Sequence, residues 1–185
     1  MNRVRASCRA VVARAAILAV AVAGAPAAAS AQATEWNGYT LEDLEGIYLR
    51  TEADATCEAV GVSAATVQSE AEATLFEAVT LLTEQEMLEA AGHPELRITL
   101  QCSEGEDGAA SGALAYSVSV RVQQAAQMIR DPQITLAEAV TWWSTAVGSV
   151  DASDAEEALK SAINAKLTEF AEAFAAANAD EGGPG

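Results

Sequence analysis

Few residues of this chain are equipped for chemistry. There is a single histidine, His93, followed by Pro94 in a turn. Without a second imidazole, a lone turn histidine reads as a solvated side chain rather than a general base. It is also the only histidine from which a Ser-His-Asp or Cys-His arrangement could be built. No HExxH, glycine-rich phosphate loop or CxxC occurs, so metalloprotease, P-loop and thioredoxin-type chemistry have no carrier. Carboxylates are abundant, with 27 Asp and Glu, and a pair of them could do acid–base work. In so acidic a chain, adjacency of two acids carries little information. The run Glu104-Gly105-Glu106-Asp107 has the composition of a calcium loop without its D-x-[DN]-x-[DN]-G spacing. It reads as a solvated hairpin loop. Asp151, Asp154, Glu156 and Glu157 cluster where a helix begins, and the helix dipole accounts for them. No metal and no cofactor is expected.

One constellation could bind rather than catalyse. It lies in residues 113–147, which read as a long two-stranded hairpin turning at Arg130-Asp131-Pro132-Gln133. Leu114, Tyr116, Val118, Val120 and Val122 share one face by the period of two. Ser117, Ser119 and Arg121 share the other. With an even-numbered turn, Trp142 falls on the polar face near Arg121 and Trp143 on the apolar face. An arginine over an indole is then a cation–π pair of about 0.5–1 kcal/mol. An odd-numbered turn exchanges the two tryptophans. Ser117, Ser119, Arg121 and Trp142 are accordingly the candidate binding residues. Surface packing of Trp142 on Arg121, with no ligand, is the alternative.

These residues need a scaffold, and the rest of the chain supplies one. Arg3, Arg5, Arg9 and Arg14 precede an apolar run and the small-residue tail ending Ala31-Gln32-Ala33. Residues 1–33 therefore read as a secretory signal peptide. The apolar run is shorter than the roughly 20 residues that span a bilayer, so no stable membrane insertion is expected after cleavage. Cys8 lies ahead of that run and cannot serve as a lipoprotein anchor. Beyond residue 33, six basic residues face 27 acidic ones, a balance of −21. Such a surface disfavours nucleic acid and anionic membranes. About 150 remaining residues suit one domain, 34–178, with a short disordered tail, 179–185. In an oxidising periplasmic or extracellular compartment, Cys57 and Cys102 are expected to pair. The bridge would stabilise by about 4 kcal/mol at the upper end.

The elements follow from periodicity. A strand is expected over 46–53, with Ile47, Leu49 and Thr51 on one face. Ser63 is a plausible N-cap for a helix over 64–77. Residues 79–82 read as a short buried strand or a helix end. Thr83-Glu84-Gln85-Glu86 looks like a capping box for a helix over 84–90. Leu96, Ile98, Leu100 and Cys102 define a half-buried strand. Gly148 is expected to end the sheet, and Ser153-Asp154-Ala155-Glu156 to cap a last helix. Leu159, Ile163, Leu167, Phe170 and Phe174 form that helix's apolar stripe. The fold class is α+β, in two layers: a strand–helix–strand unit, then an antiparallel meander with a long hairpin. The C-terminal helix packs on one sheet face.

The chain resembles small, secreted, largely uncharacterised bacterial α+β proteins of the periplasm. The resemblance lies in Ala91-Gly92-His93-Pro94-Glu95-Leu96, Ala115-Tyr116-Ser117-Val118, Gln123-Gln124, Arg130-Asp131, Thr141-Trp142, Phe170 and Asn178. Its topology is similar to that of accessory domains in envelope assembly and transport systems. The shared motifs are structural and bring no activity with them; the function expected is that of a non-enzymatic periplasmic binding or envelope accessory protein, using the open sheet face or an edge strand toward an unknown protein or small ligand. The rivals are a carboxylate-dependent hydrolase and a structural envelope component.

Overall fold

The computed structural model describes residues 38–104 and 112–179. Residues 1–37, 105–111 and 180–185, which hold the expected signal peptide and most of the expected polar loop and tail, lie outside the described residues. The architecture is the expected α+β one, a five-stranded mixed sheet with a C-terminal helix packed against it.

The chain enters through a 3-10 turn, Tyr39–Leu41. It continues through β1 (Ile47–Ala53), α1 (Ala55–Ala59), α2 (Ala64–Leu75), β2 (Leu81–Leu82), α3 (Glu84–Glu89) and β3 (Glu95–Glu104). The hairpin β4 (Ala113–Gln127) and β5 (Thr135–Asp151) follows, then α4 (Ala155–Ala177). The sheet order is β2-β1-β3-β4-β5. β1 is parallel to both β2 and β3, and β3, β4 and β5 form an antiparallel meander.

Local rules explain most boundaries. Ser63 caps α2 by accepting from Thr66 N. Thr83 and Glu86 form the reciprocal capping box on α3, and those hydrogen bonds from Thr83 hold the Glu86 carboxyl below its usual range. The ambiguous run before α3 contains a strand of two residues, β2, paired with Ile47 and Tyr48. The crossovers β1-α2-β2 and β2-α3-β3 step across the sheet in opposite directions. Right-handed connections then require their helices on opposite faces. α2 and α4 cover one face, while α3 lies beside the edge of the other.

The core fills the covered face. Ile47, Leu49, Leu96, Ile98, Leu100, Val118, Val120 and Val122 alternate into it, against Leu159, Ile163, Leu167 and Phe170 of α4. Cys57 and Cys102 are joined as a disulfide that ties α1 to β3. Asp54 reinforces the joint, accepting from Cys57 N at 2.9 Å and Cys102 N at 2.7 Å.

Three expectations need correction. Trp142 is not on the polar face: it is 1% exposed and meets the Phe170 ring edge-on at 5.3 Å. Gln127 pairs with Thr135, leaving an odd turn of seven residues, 128–134. Two register shifts, at Val122/Gln123 and Gln124/Ala126, each move the pairing by one residue. Together they restore the parity of the odd turn, so Val122 faces Trp142 and Arg121 faces Trp143. Next, Gly148 does not end the sheet, since β5 runs on to Asp151. The glycine instead admits the Tyr116 ring, which a Cβ there would meet at 2.6 Å. Lastly, the box at Ser153 does not form. A 3-10 turn, Ala152–Asp154, leads into α4 without a side-chain cap.

Candidate functional site

The sheet face opposite α2 and α4 carries an ordered row of side chains. Arg50 on β1 lies directly opposite Arg97 on β3, Arg97 opposite Arg121 on β4, and Arg121 opposite Trp143 on β5. Adjacent strands sit about 4.8 Å apart, so the row crosses roughly 14 Å of sheet. Like charges directly opposite one another are unfavourable, and one carboxylate offsets part of this. Glu95, 8% exposed, accepts from Arg50 Nε at 2.9 Å and from Arg97 Nε at 2.7 Å. Both contacts use Nε, so the outer guanidinium nitrogens are not those bound to Glu95. Burial opposes the charge on Arg97. Its hydrogen bond with Glu95, and the charges of Glu95, Glu52 and Glu138, outweigh that and hold the guanidinium above its usual range.

Arg121 is differently placed. Its Nη2 approaches Thr99 Oγ1 at 3.4 Å, a long contact, and its Nε is buried without a hydrogen-bond partner among the described residues. Beside the row runs a second line of polar groups, with Thr99 opposite Ser119 and Ser119 opposite Thr145. A third brings Gln101 opposite Ser117 and Ser117 opposite Val147. Trp143 is 38% exposed and Val147 65%.

At one end the row opens into a cleft of about 250 Å³, between α3, the start of β3 and the hairpin. Arg50, His93, Glu95, Gln123 and Glu138 bring polar groups to it, and Met87 of α3 contributes apolar surface. The backbone there is unusual: Gly92 has φ +78° and His93 φ +47°. Left-handed geometry is uncommon for a residue with a Cβ, although His is among the more tolerant. Ala125 N donates to Gly92 O at 2.7 Å, and Tyr48 N to Pro94 O at 2.9 Å, so hairpin and β1 clamp the turn. The Gln123 amide oxygen is buried and unpartnered among the described residues.

Of the sequence candidates, Ser117, Ser119 and Arg121 do share this face, and Trp142 is replaced by Trp143. The cation–π contact present is not the expected one: Arg50 lies 5.7 Å from the Tyr48 ring. Arg50, Arg97, Glu95 and Gln123 are not among the binding residues expected from sequence. The alternation of β1 and β3 already puts Arg50 and Arg97 on the polar side. Only the register aligns them with Arg121. Asp54, Cys57 and Cys102 bring possible ligand atoms within 4.8 Å of one another. The two sulfurs are bonded to each other, so this is no metal set. No helix among the described residues is long and apolar enough to cross a membrane.

The fold and this face define a single-layer-covered α+β domain with an open, arginine-bearing sheet. The chain matches no protein-family model and no curated protein. Among solved structures it is similar to a PelC dodecamer from Paraburkholderia phytofirmans. That likeness has 16% identity and a TM-score of 0.40, over 67% of this chain and 85% of the other. At that level the likeness carries no functional argument.

Proposed function

We propose that this chain is a secreted or periplasmic, non-enzymatic binding or envelope accessory protein whose ligand surface is the open sheet face. The observation that supports the reading is the in-register row Arg50, Arg97, Arg121 and Trp143. Three of the six basic residues beyond position 33 are gathered on one face. Guanidinium forks suit carboxylate or phosphate oxygens, and an adjacent indole offers a flat apolar contact. The ligand is therefore an acidic group on a protein or small molecule, seated first on Arg121, whose Nη2 makes only the long contact to Thr99 Oγ1 among the described residues. The disulfide suits an oxidising compartment.

A photo-crosslinking residue at Ser119, compared with one at Ser161 on the outer face of α4, tests this in cells. The reading expects a defined adduct from 119 alone. Equal adducts from both positions would count against it.

A carboxylate-dependent hydrolase is the second reading. The cleft favours it, because Glu84, Glu95 and Glu138 line the same space as His93. Against it, both oxygens of Glu95 are engaged by arginines. Loss of a hydrolytic activity in Glu84→Gln and Glu138→Gln would overturn the non-enzymatic reading.

A further inference from the structure

β5 is an edge strand of 17 residues, and among the described residues no strand pairs with its outer side. Exposed edges are normally blunted by Lys, Pro, bulges or shortness, because free N–H and C=O groups template further pairing. β5 has no Lys and no Pro. Both register shifts lie at its start, and pairing from Trp142 to Asp151 is unbroken. Residues 139–150 contain no charged side chain, in a chain where 20% of residues are charged. Like charge therefore opposes a second copy less along this stretch than on the rest of the chain, the nearest carboxylate being Glu169, which accepts from Ser144. The 3-10 turn reaches the bulge, where Thr40 Oγ1 donates to Thr141 O at 3.1 Å.

We propose that the outer edge of β5 pairs antiparallel with β5 of a second copy of this chain, joining two sheets across a two-fold axis. An axis perpendicular to the sheet keeps each side chain on its own face, so paired residues must share parity. The axis then falls on a residue. Centred on Thr145, the pairing sets Thr145 against itself and Trp143 against Val147 of the second copy, twice over. Between Trp142 and Asp151, Trp143 and Val147 are the two large apolar side chains exposed on the open face. Aromatic and β-branched residues are favourable cross-strand partners. On the covered face, the same register sets Gly148 against Trp142 and Ser144 against Ala146. The two arginine rows would lie on the same side of one continuous sheet. The pairing does not depend on what those rows bind.

The test is the mass of the purified, disulfide-intact protein across micromolar concentrations, by light scattering or sedimentation. A dimer is expected. Thr145→Lys, which sets two ammonium groups face to face, is expected to weaken it at least about tenfold with unchanged circular dichroism. Should that variant fold poorly, Thr145→Cys keeps the proposal testable. A short thiol crosslinker is expected to link it to itself well above the unsubstituted chain, and Ser161→Cys not. A protein that stays monomeric, a dimer indifferent to Thr145→Lys, or a Thr145→Cys chain that fails to self-link would each overturn the proposal. So would an edge found occupied by a foreign extended peptide or by this chain's own N-terminal segment.

Discussion

Replacing Glu95 with Gln probes the arginine row at its pivot. Glu95 is the carboxylate between two opposed guanidiniums, with its side chain 11% exposed. The amide keeps size and one acceptor oxygen but removes the charge. Breaking a buried ion pair costs about 3–5 kcal/mol, whereas exposed pairs are worth roughly 0–1. The arginine side chains lie between these limits, at 18% exposed for Arg97 and 41% for Arg50. The expected loss is therefore about 2 kcal/mol, or roughly 4–8 °C in Tm for a domain of this size. Urea unfolding followed by tryptophan fluorescence measures it. Most of the loss is expected to vanish when Arg50→Ala and Arg97→Ala are already present, since the repelling charges are then gone. A change under about 0.5 kcal/mol, or the same loss in both backgrounds, would refute Glu95 as the row's counterion.

Other outcomes follow from the same geometry. Trp142→Ala should cost about 3–5 kcal/mol, as for other large buried aromatics, and Trp143→Ala well under half of that in the monomer. The reverse order in urea unfolding would contradict the parity of the hairpin. Removing the bridge with Cys57→Ala and Cys102→Ala should cost about 2–4 kcal/mol, read from unfolding midpoints with and without reductant. Burial opposes ionisation of Glu169, but hydrogen bonds from Lys166 and Ser144 and the Lys166 charge outweigh it, holding its carboxyl below 4.5. A depressed carboxyl stabilises fully above its unfolded value, and that stability drains away as pH falls through the folded value. Glu169→Gln should therefore flatten the acid limb of the stability profile below about pH 5 and leave its shape unchanged at neutral pH.

What was legible in the chain is what local pattern controls. Leu96 to Cys102 and Leu114 to Val122 show their alternation openly. Thr83 and Glu86 write a capping box in adjacent residues, and the α4 stripe repeats at helical spacing. The helix α1 was missed because only Asp54, capping Cys57 N, announces it. The site was harder. Whether Trp142 or Trp143 faces outward depends on a turn length and two bulges, and no residue in either strand states these alone. The row was invisible for a different reason. Arg50, Arg97 and Arg121 lie far apart in sequence, and their alignment is set by long-range register. That register follows from packing Ile47, Leu49, Leu96 and Ile98 under the helices rather than from any motif. His93 read as a solvated turn residue, and it lines the cleft because the Gly92-His93 turn is clamped from both sides.

The most direct test of the open face is a charge-matched comparison on the partner or ligand identified by crosslinking at Ser119. Arg121→Ala and Arg130→Ala each remove one cation, the first from the row and the second from the exposed hairpin turn. Binding should fall at least about tenfold for Arg121→Ala, as for loss of a charge-assisted hydrogen bond. It should stay within about twofold of the parent for Arg130→Ala. Equal losses, or none from Arg121→Ala, would contradict a ligand surface built on this row.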